Sequence, residues 1–340
     1  MTNAQPTNQV ANQANTPKAA PETLTGAVLL PDGKPAAGAQ VAVVGNGNYL
    51  TLEQGKLNMA KGNKKRLVLT GDDGRFTVTT PKKAQIVAAS KDGYAQMSLE
   101  QFKASPTITL EKWGAIEGTL RVGSRLETNV SLSAMNPLMM RSNSNGFTAM
   151  IIFHTQTPTD KEGHFAFQSV PPGDIMIQQV KTDSGSFSTR KFPSLTVKSG
   201  ETTVTNINVV GRTVTGKIKL SDETVDFKNS HFTVFSHSAI IEKLQQSKGK
   251  DMMAAYASEE GQNEIMKMFM SSASVSPDGS FRMEAIPAGN YDLNLMMSSQ
   301  QAKKGSGPLQ LYSRNKEVPE ARGANDDSIV DWGTVELKKE

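Results

Sequence analysis

The stretch "TDKEGHFAFQSVPPGDIMIQQV", from Thr159 to Val180, decides the fold. An acidic turn ends at Gly163, Phe165 follows two residues later, and Pro171-Pro172-Gly173 leads into an alternating apolar run. Seen once, this pattern could be a metal loop or a phosphate loop. It occurs three times. "TGDDGRFTVTTPKKAQIVAA" (Thr70 to Ala89) carries Gly74, Phe76 and Pro81, and "SPDGSFRMEAIPAGNYDLNL" (Ser276 to Leu295) carries Gly279, Phe281, Pro287 and Gly289. A repeat of this kind defines an architecture before it defines a site.

A second marker opens each copy. Gly26 in "LTGAVLL", Gly118 in "IEGTLRV" and Gly216 in "VTGKIKL" each lie within alternating apolar residues, the signature of a half-buried strand. Glycine after aspartate, as in "LLPDGKPAAGA", marks tight turns, because glycine accepts positive φ. Short strands with frequent turns predict an all-β chain of sandwiches. The boundaries read as a linker at 1–21, then units at 22–111, 112–210 and 211–340. The linker is rich in Asn, Gln, Thr, Ala and Pro, too polar to order itself by burial. It lacks the basic start and apolar segment of a signal peptide. A chain opening on such a linker is expected to follow another segment.

The bulk composition narrows the function classes. The 340 residues are 37% hydrophobic, which suits several small cores better than one large one. The 37 Lys and Arg are nearly balanced by 33 Asp and Glu and form no basic stripe interleaved with aromatics, so nucleic acid is not an expected partner. No apolar run is long enough for a membrane span. Cysteine is absent, which removes disulfides, thiolate metal sites and thiol nucleophiles.

The quoted residues resemble the carboxypeptidase regulatory-like, transthyretin-like family. "GAVLLPDGKPAAGAQVAVV" with "DDGRFTV", then "TDKEGHFAFQSVPPGDIMI" and "SPDGSFRMEAIPAGNYDLNL", carry the resemblance over most of residues 22–340. It implies three tandem Greek-key, prealbumin-like β-sandwich domains. It also implies a non-catalytic accessory role in exported bacterial proteins, with an extracytoplasmic location in the periplasm or at the cell surface. The pattern departs at Lys82-Lys83, where the family has glycine after proline. Units two and three also lack the "PDGKPAAGA" hairpin. A related class of modules forms Lys–Asn isopeptide links, for which Lys112 with Asn206 or Asn208 are the candidates.

The motif residues have folding explanations. Asp72, Asp73, Asp160, Glu162 and Asp278 offer too few acids at too few positions for a calcium loop. They read instead as Asx turns before a glycine of positive φ. The phenylalanine then faces the core, and Pro-Gly closes the next turn, as at Pro172-Gly173 and Pro287-Ala288-Gly289. His231 and His237 lie too far apart on one strand for a shared metal, and His154 and His164 flank a turn without a third ligand. No catalytic motif is present, so neither an enzyme nor a cofactor is expected.

Insertions fall between an early strand and the turn hairpin of each unit, at about 45–66, 136–147 and 237–272. Loops on a rigid β-scaffold are where recognition usually resides. The third insertion reads as helical over about 238–272. Ile240, Ile241 and Leu244 follow Ser238 as cap, with further helices at 251–257 and 258–270. Its methionines and aromatics, Met252, Met253, Tyr256, Met266, Phe269 and Met270, form a candidate partner surface. Met266, Met268 and Met270 could bind Cu(I) as thioethers, but residues two apart on a helix point in different directions, which favours packing. The expected function is a tandem spacer or protein-binding region of a larger cell-envelope protein, its partner a protein or cell-surface component. The alternative is a carbohydrate- or peptide-binding module that uses the insertion loops.

Overall fold

The computed structural model describes residues 22–59, 61–136, 149–183, 186–220, 227, 231–237, 258, 268–297, 309–323, 326 and 328–338. Among them the chain is all-β, with several sheets, one short α-helix and one 3-10 turn. Unit one contains β1 (Glu22–Leu29), β2 (Gln40–Gly45), β3 (Tyr49–Glu53), β4 (Lys56–Met59), the 3-10 turn (Lys61–Arg66), β5 (Leu67–Leu69), β6 (Arg75–Thr80), β7 (Ala84–Ser90), β8 (Gly93–Ser98), α1 (Leu99–Ala104) and β9 (Thr107–Thr109). Unit two contains β10 (Gly114–Val122), β11 (Arg125–Leu126), β12 (Ser131–Met135), β13 (Met150–Pro158), β14 (His164–Val170), β15 (Gly173–Asp183), β16 (Ser186–Lys191), β17 (Leu195–Val197), β18 (Thr202–Val204) and β19 (Ile207–Val209). Unit three contains β20 (Arg212–Leu220), β21 (His231–Ser236), β22 (Met270–Ser274), β23 (Ser280–Ile286), β24 (Gly289–Met297), β25 (Leu309–Val318) and β26 (Ile329–Leu337).

One pairing order recurs in each unit. The opening strand is the middle of a small sheet, antiparallel to the strand that carries the motif phenylalanine and parallel to the last strand. This gives β6-β1-β9, β14-β10 with β18 and β19, and β23-β20-β26. The facing strands run β5-β2-β7-β8, β13-β12-β15-β16 and β22-β21-β24-β25.

The two sequence markers prove to be cross-strand partners. Gly26 lies opposite Phe76, Gly118 opposite Phe165 and Gly216 opposite Phe281. All three phenylalanines are buried. At Gly216 an added Cβ would come within 2.7 Å of the Phe281 ring, so glycine is what lets the ring lie flat on the opposing strand. The turns repeat as well. Asp73 accepts the Arg75 N–H at 3.0 Å, Asp160 accepts those of Glu162 at 2.9 Å and His164 at 2.8 Å, and Asp278 accepts that of Ser280 at 3.0 Å. Gly74, Gly163 and Gly279 take φ of 73°, 72° and 85°. These three aspartates are thus engaged by backbone N–H groups, as Asx turns require. Ser169 and Ala285, each two residues before a proline, hold positive φ at matching β-bulges.

Strand β2 is buried on both faces, which explains its unbroken apolar run "VAVV". Val41 and Val43 join the core of unit one, which also holds Val28, Phe76, Ile86 and Phe102. Ala42 and Val44 face the other way, into a core shared with unit two. Unit three has its own core around Phe232, Phe281, Leu293 and Val335.

Two expectations are corrected. The predicted helix at 258–270 does not extend to Met270, which opens β22, and Ser272 lies inside that strand. Alternate residues Ser271 and Ala273 are buried between two partner strands, a period-2 environment that overrides any helical tendency. The first insertion is not an open loop: it forms β3, β4 and a 3-10 turn. The sequence reading also passed over α1, although Ser98-x-x-Gln101 is a capping box. Ser98 Oγ accepts the Gln101 N–H at 3.2 Å, and Gln101 Oε1 accepts the Ser98 N–H at 2.8 Å. Residues 1–21 and the predicted helices at 238–250 and 251–257 lie outside the described residues.

Candidate functional site

Two strand pairings join segments that the sequence assigns to different units, and these seams are the candidate site. Strand β3 pairs in parallel with β13 of unit two, Tyr49 with Met150 through Leu52 with Phe153. Strand β16 of unit two pairs antiparallel with β22 of unit three, Thr189 with Ser272 and Arg190 with Ser271. One hydrogen-bonded path, β25-β24-β21-β22-β16-β15-β12-β13-β3-β4, therefore crosses all three units in an 11-stranded sheet, with β17 beside β15.

The first seam is apolar. Alternation along β3 and β4 turns Leu50, Leu52, Leu57 and Met59 inward, and all four are buried. They pack in one cluster with Ala42, Val44, Val87 and Ala89 of unit one and Leu132, Ile151 and Phe153 of unit two. Trp113, on the connector between the units, donates its indole N–H to the Ser90 carbonyl at 2.9 Å and packs on the Tyr94 ring at 5.6 Å. Burial pushes the Tyr94 phenol pKa up, and its hydroxyl donates to Gln96 Oε1 at 2.8 Å.

The second seam is polar. Glu127, only 3% exposed, accepts from Arg125 Nε at 3.0 Å and Nη2 at 2.8 Å, and from Gln179 Nε2 at 3.3 Å. Arg190 is 8% exposed and donates to Gln179 Oε1 at 3.2 Å and to the backbone carbonyl of Glu284, in unit three. Its Nε is buried without a hydrogen-bond partner. Arg125 reaches Glu284 as well, at 3.3 Å. Burial pulls the Arg190 pKa down, and the charges of Glu127 and Glu284 pull it back up. The hydrogen bonds that Arg125 donates to Glu127 raise the Arg125 pKa. Lys191, its neighbour, is also buried, and desolvation lowers its pKa.

One cleft lies at a seam and another within unit two. One, of about 520 Å³, lies at the second seam, with Lys191, Phe192, Leu195, Val209, Phe269 and Pro287 among its walls. The other, of about 510 Å³, lies over β10 and β14 of unit two and includes Glu117, Thr119, Asp160, His164 and Asn206.

The sequence candidates fall as follows. Met252, Met253, Tyr256 and Met266 lie outside the described residues. Phe269 is half-buried: its N–H donates to Ser236 Oγ at 3.1 Å, and its ring meets Tyr291 edge-on at 5.8 Å. Among the described residues no three His, Asp or Glu side chains gather as metal ligands. His231 opens the extended β21 and His237 follows its last residue. His237 instead pairs with buried Asp292 at 2.8 Å, a contact between residues too distant in sequence to be read from it. Lys112 packs beside Gly200, whereas Asn206 accepts from Thr119 Oγ1 at 2.9 Å. Seven residues of extended chain separate Lys112 from Thr119, roughly 23 Å, so the register does not bring Lys112 to Asn206. The buried polar network of Glu127, Gln179 and Arg190 was not foreseen either. A buried arginine in a strand is indistinguishable in sequence from a solvated one.

No protein-family model matches the chain, and no curated protein matches it in sequence. Among solved structures it is distantly similar to bacterial pilins and related β-proteins. The Bacillus anthracis TIE protein shares 15% identity over 93% of this chain, with a TM-score of 0.22, and this chain spans 50% of its length. A minor pilin of Streptococcus agalactiae shares 12% identity over 55% of this chain and 94% of its own, with a TM-score of 0.27. The shaft pilin SpaA of Lactobacillus rhamnosus GG shares 11% identity over 56% of this chain and 97% of its own, with a TM-score of 0.20. These overlaps are slight. No helix among the described residues is long and apolar enough to cross a membrane.

Proposed function

We propose that this chain is a non-catalytic spacer: three tandem prealbumin-like Greek-key domains, at 22–111, 112–210 and 211–340, joined into one stiff unit of a larger exported or cell-envelope protein. Its partner is a protein or cell-surface component. The observation that carries the reading is the sheet that passes through both seams. Tandem domains that merely share a linker keep separate cores and move independently. Here unit one lends a hairpin to the sheet and core of unit two, and the polar network of unit two reaches Glu284 of unit three. A chain built to hold its ends at a fixed separation needs such joints.

The absence of cysteine makes the test direct. Thr79→Cys in unit one and Glu336→Cys in unit three place spin labels at exposed positions. Pulsed electron spin resonance is expected to return one narrow distance distribution. A broad distribution means that the units swing on their connectors, and the spacer reading then fails.

The cleft at the second seam favours a second reading, a peptide- or carbohydrate-binding module. Its mixed lining, with Lys191, Ser194 and Asn208 among apolar residues, suits such a ligand. Chemical-shift changes at these residues on titration with peptides or oligosaccharides are the outcome it requires.

A further inference from the structure

The strand order carries a mechanical consequence that rests on the spacer reading. In each unit the first strand is central in its small sheet, bonded on both sides. Its neighbour on one side is the unit's last strand, and the two are parallel: β1 with β9, β10 with β18 and β19, β20 with β26. The connectors between units are short. Only residues 110–113 separate β9 from β10, and Val210 and Gly211 separate β19 from β20. Leu110 is itself buried, and an added Cβ on Gly211 would come within 2.5 Å of the Ile286 backbone, so neither connector has slack. A pull on the two ends of the chain therefore enters every unit through its first strand and leaves through its last. Parallel strands drawn from opposite ends slide past each other along their length. All the hydrogen bonds between them are loaded together rather than broken one at a time.

We propose that the chain bears tension along its axis, each unit being locked by a shear clamp between its central first strand and its parallel last strand, with unit one yielding first. The order follows from the register. The clamp of unit one spans three paired positions, Ala27–Thr107 to Leu29–Thr109. That of unit two has two blocks, Ala115–Thr202 to Glu117–Val204 and Leu120–Ile207 to Val122–Val209. That of unit three runs from Thr213–Ile329 to Leu220–Leu337. The backbone bonds Ala27 N–H to Pro106 C=O at 3.1 Å and Leu110 N–H to Leu29 C=O at 2.9 Å close the ends of the shortest clamp.

The test is single-molecule force spectroscopy on the full chain, held near Glu22 and Lys338. The expected record is discrete steps. The longest gain, roughly 400 Å for residues 212–337 at ~3.3–3.6 Å per residue, should come last. An insertion of about 20 Gly and Ser residues in the exposed turn between Asp32 and Gly33 should lengthen the first step, and no other, by roughly 70 Å. A second pulling axis keeps the idea falsifiable without any variant that risks misfolding. Thr23 and Thr79 are exposed and directly paired across antiparallel strands, so cysteine handles there unzip β1 from β6. That axis should open unit one at a several-fold lower force than the end-to-end axis. Equal forces on the two axes, or the long step arriving first, overturn the proposal. Low end-to-end forces with a narrow spin-label distribution remove the clamp and leave the spacer. High forces with a broad distribution do the reverse.

Discussion

Replacing Arg190 with alanine tests whether the second seam is a built joint. The guanidinium is 8% exposed and makes two hydrogen bonds, to Gln179 Oε1 and to the Glu284 carbonyl. Alanine takes the guanidinium donor away from both acceptors, and removes a cation whose field acts on Glu127 and Glu284. Hydrogen bonds to a charged group contribute about 1.5–3 kcal/mol each, and breaking a buried ionic network costs about 3–5 kcal/mol. We expect about 4 kcal/mol. At a slope of ~2 kcal/mol/M, that lowers the urea midpoint of unit three by about 2 M. Trp332, whose indole N–H donates to the Glu317 carbonyl, reports that transition by fluorescence. Trp113 sits at the other seam, and its transition should move much less. Arg190→Met supplies the control, because it fills space without a charge while Arg125 still holds Glu127. Its loss should be clearly smaller than that of alanine, as apolar replacements of buried ion pairs usually are. A shift below ~1 kcal/mol for Arg190→Ala, within the range of an exposed site, would refute the reasoning.

Three further outcomes follow from the same structure. Leu52→Ala should cost about 2–5 kcal/mol and broaden the distance between labels on units one and two, since Leu52 is buried in their shared core; unchanged stability by urea unfolding counts against that core. Gly118→Ala should cost about 3 kcal/mol or more, because its Cβ would overlap the Thr205 carbonyl, and a neutral result in thermal unfolding would show that β10 and the strand beyond can part freely. Burial raises the pKa of the Tyr94 and Tyr291 phenols, so the folded state holds them neutral where the unfolded chain ionises. Their contribution to stability is complete below the unfolded value near 10 and is lost as pH rises above it. Ultraviolet titration should therefore show Tyr94 and Tyr291 ionising only on unfolding, and Tyr94→Phe should lessen the alkaline sensitivity.

The recurring turn was legible because each of its residues acts on its neighbours. Asp278 needs only the Ser280 N–H two residues on, and Gly279 needs only its own φ. That Asp278 titrates below the ordinary carboxylate range has the same local cause, the Ser280 hydrogen bonds. The glycine and phenylalanine markers were visible separately, but their pairing was not, because cross-strand partners such as Gly118 and Phe165 are set by register. In sequence the first insertion reads as a recognition loop, because "NYLTLEQGKLNMA" has no local sign of which sheet it joins. Its leucines alternate, but a period of two does not name a partner strand. The end of the third insertion was misplaced for the same reason: Met270 looks helical beside Met266 and Met268 and becomes a strand residue between β21 and β16.

By itself, then, the amino-acid sequence determined the all-β class and the three repeated turns, because these depend on φ preferences, hydrophobic period and hydrogen bonds within a few residues. Only the tertiary structure decided that the copies are joined. Leu50 and Leu52 find their core in unit two, and Arg190 finds the Glu284 carbonyl in unit three, 94 residues away. Such contacts are made when preformed edges meet, and exposed strand edges accept any partner of suitable geometry. The side chains that choose among partners are common ones, and their meaning appears only when the packing surrounds them.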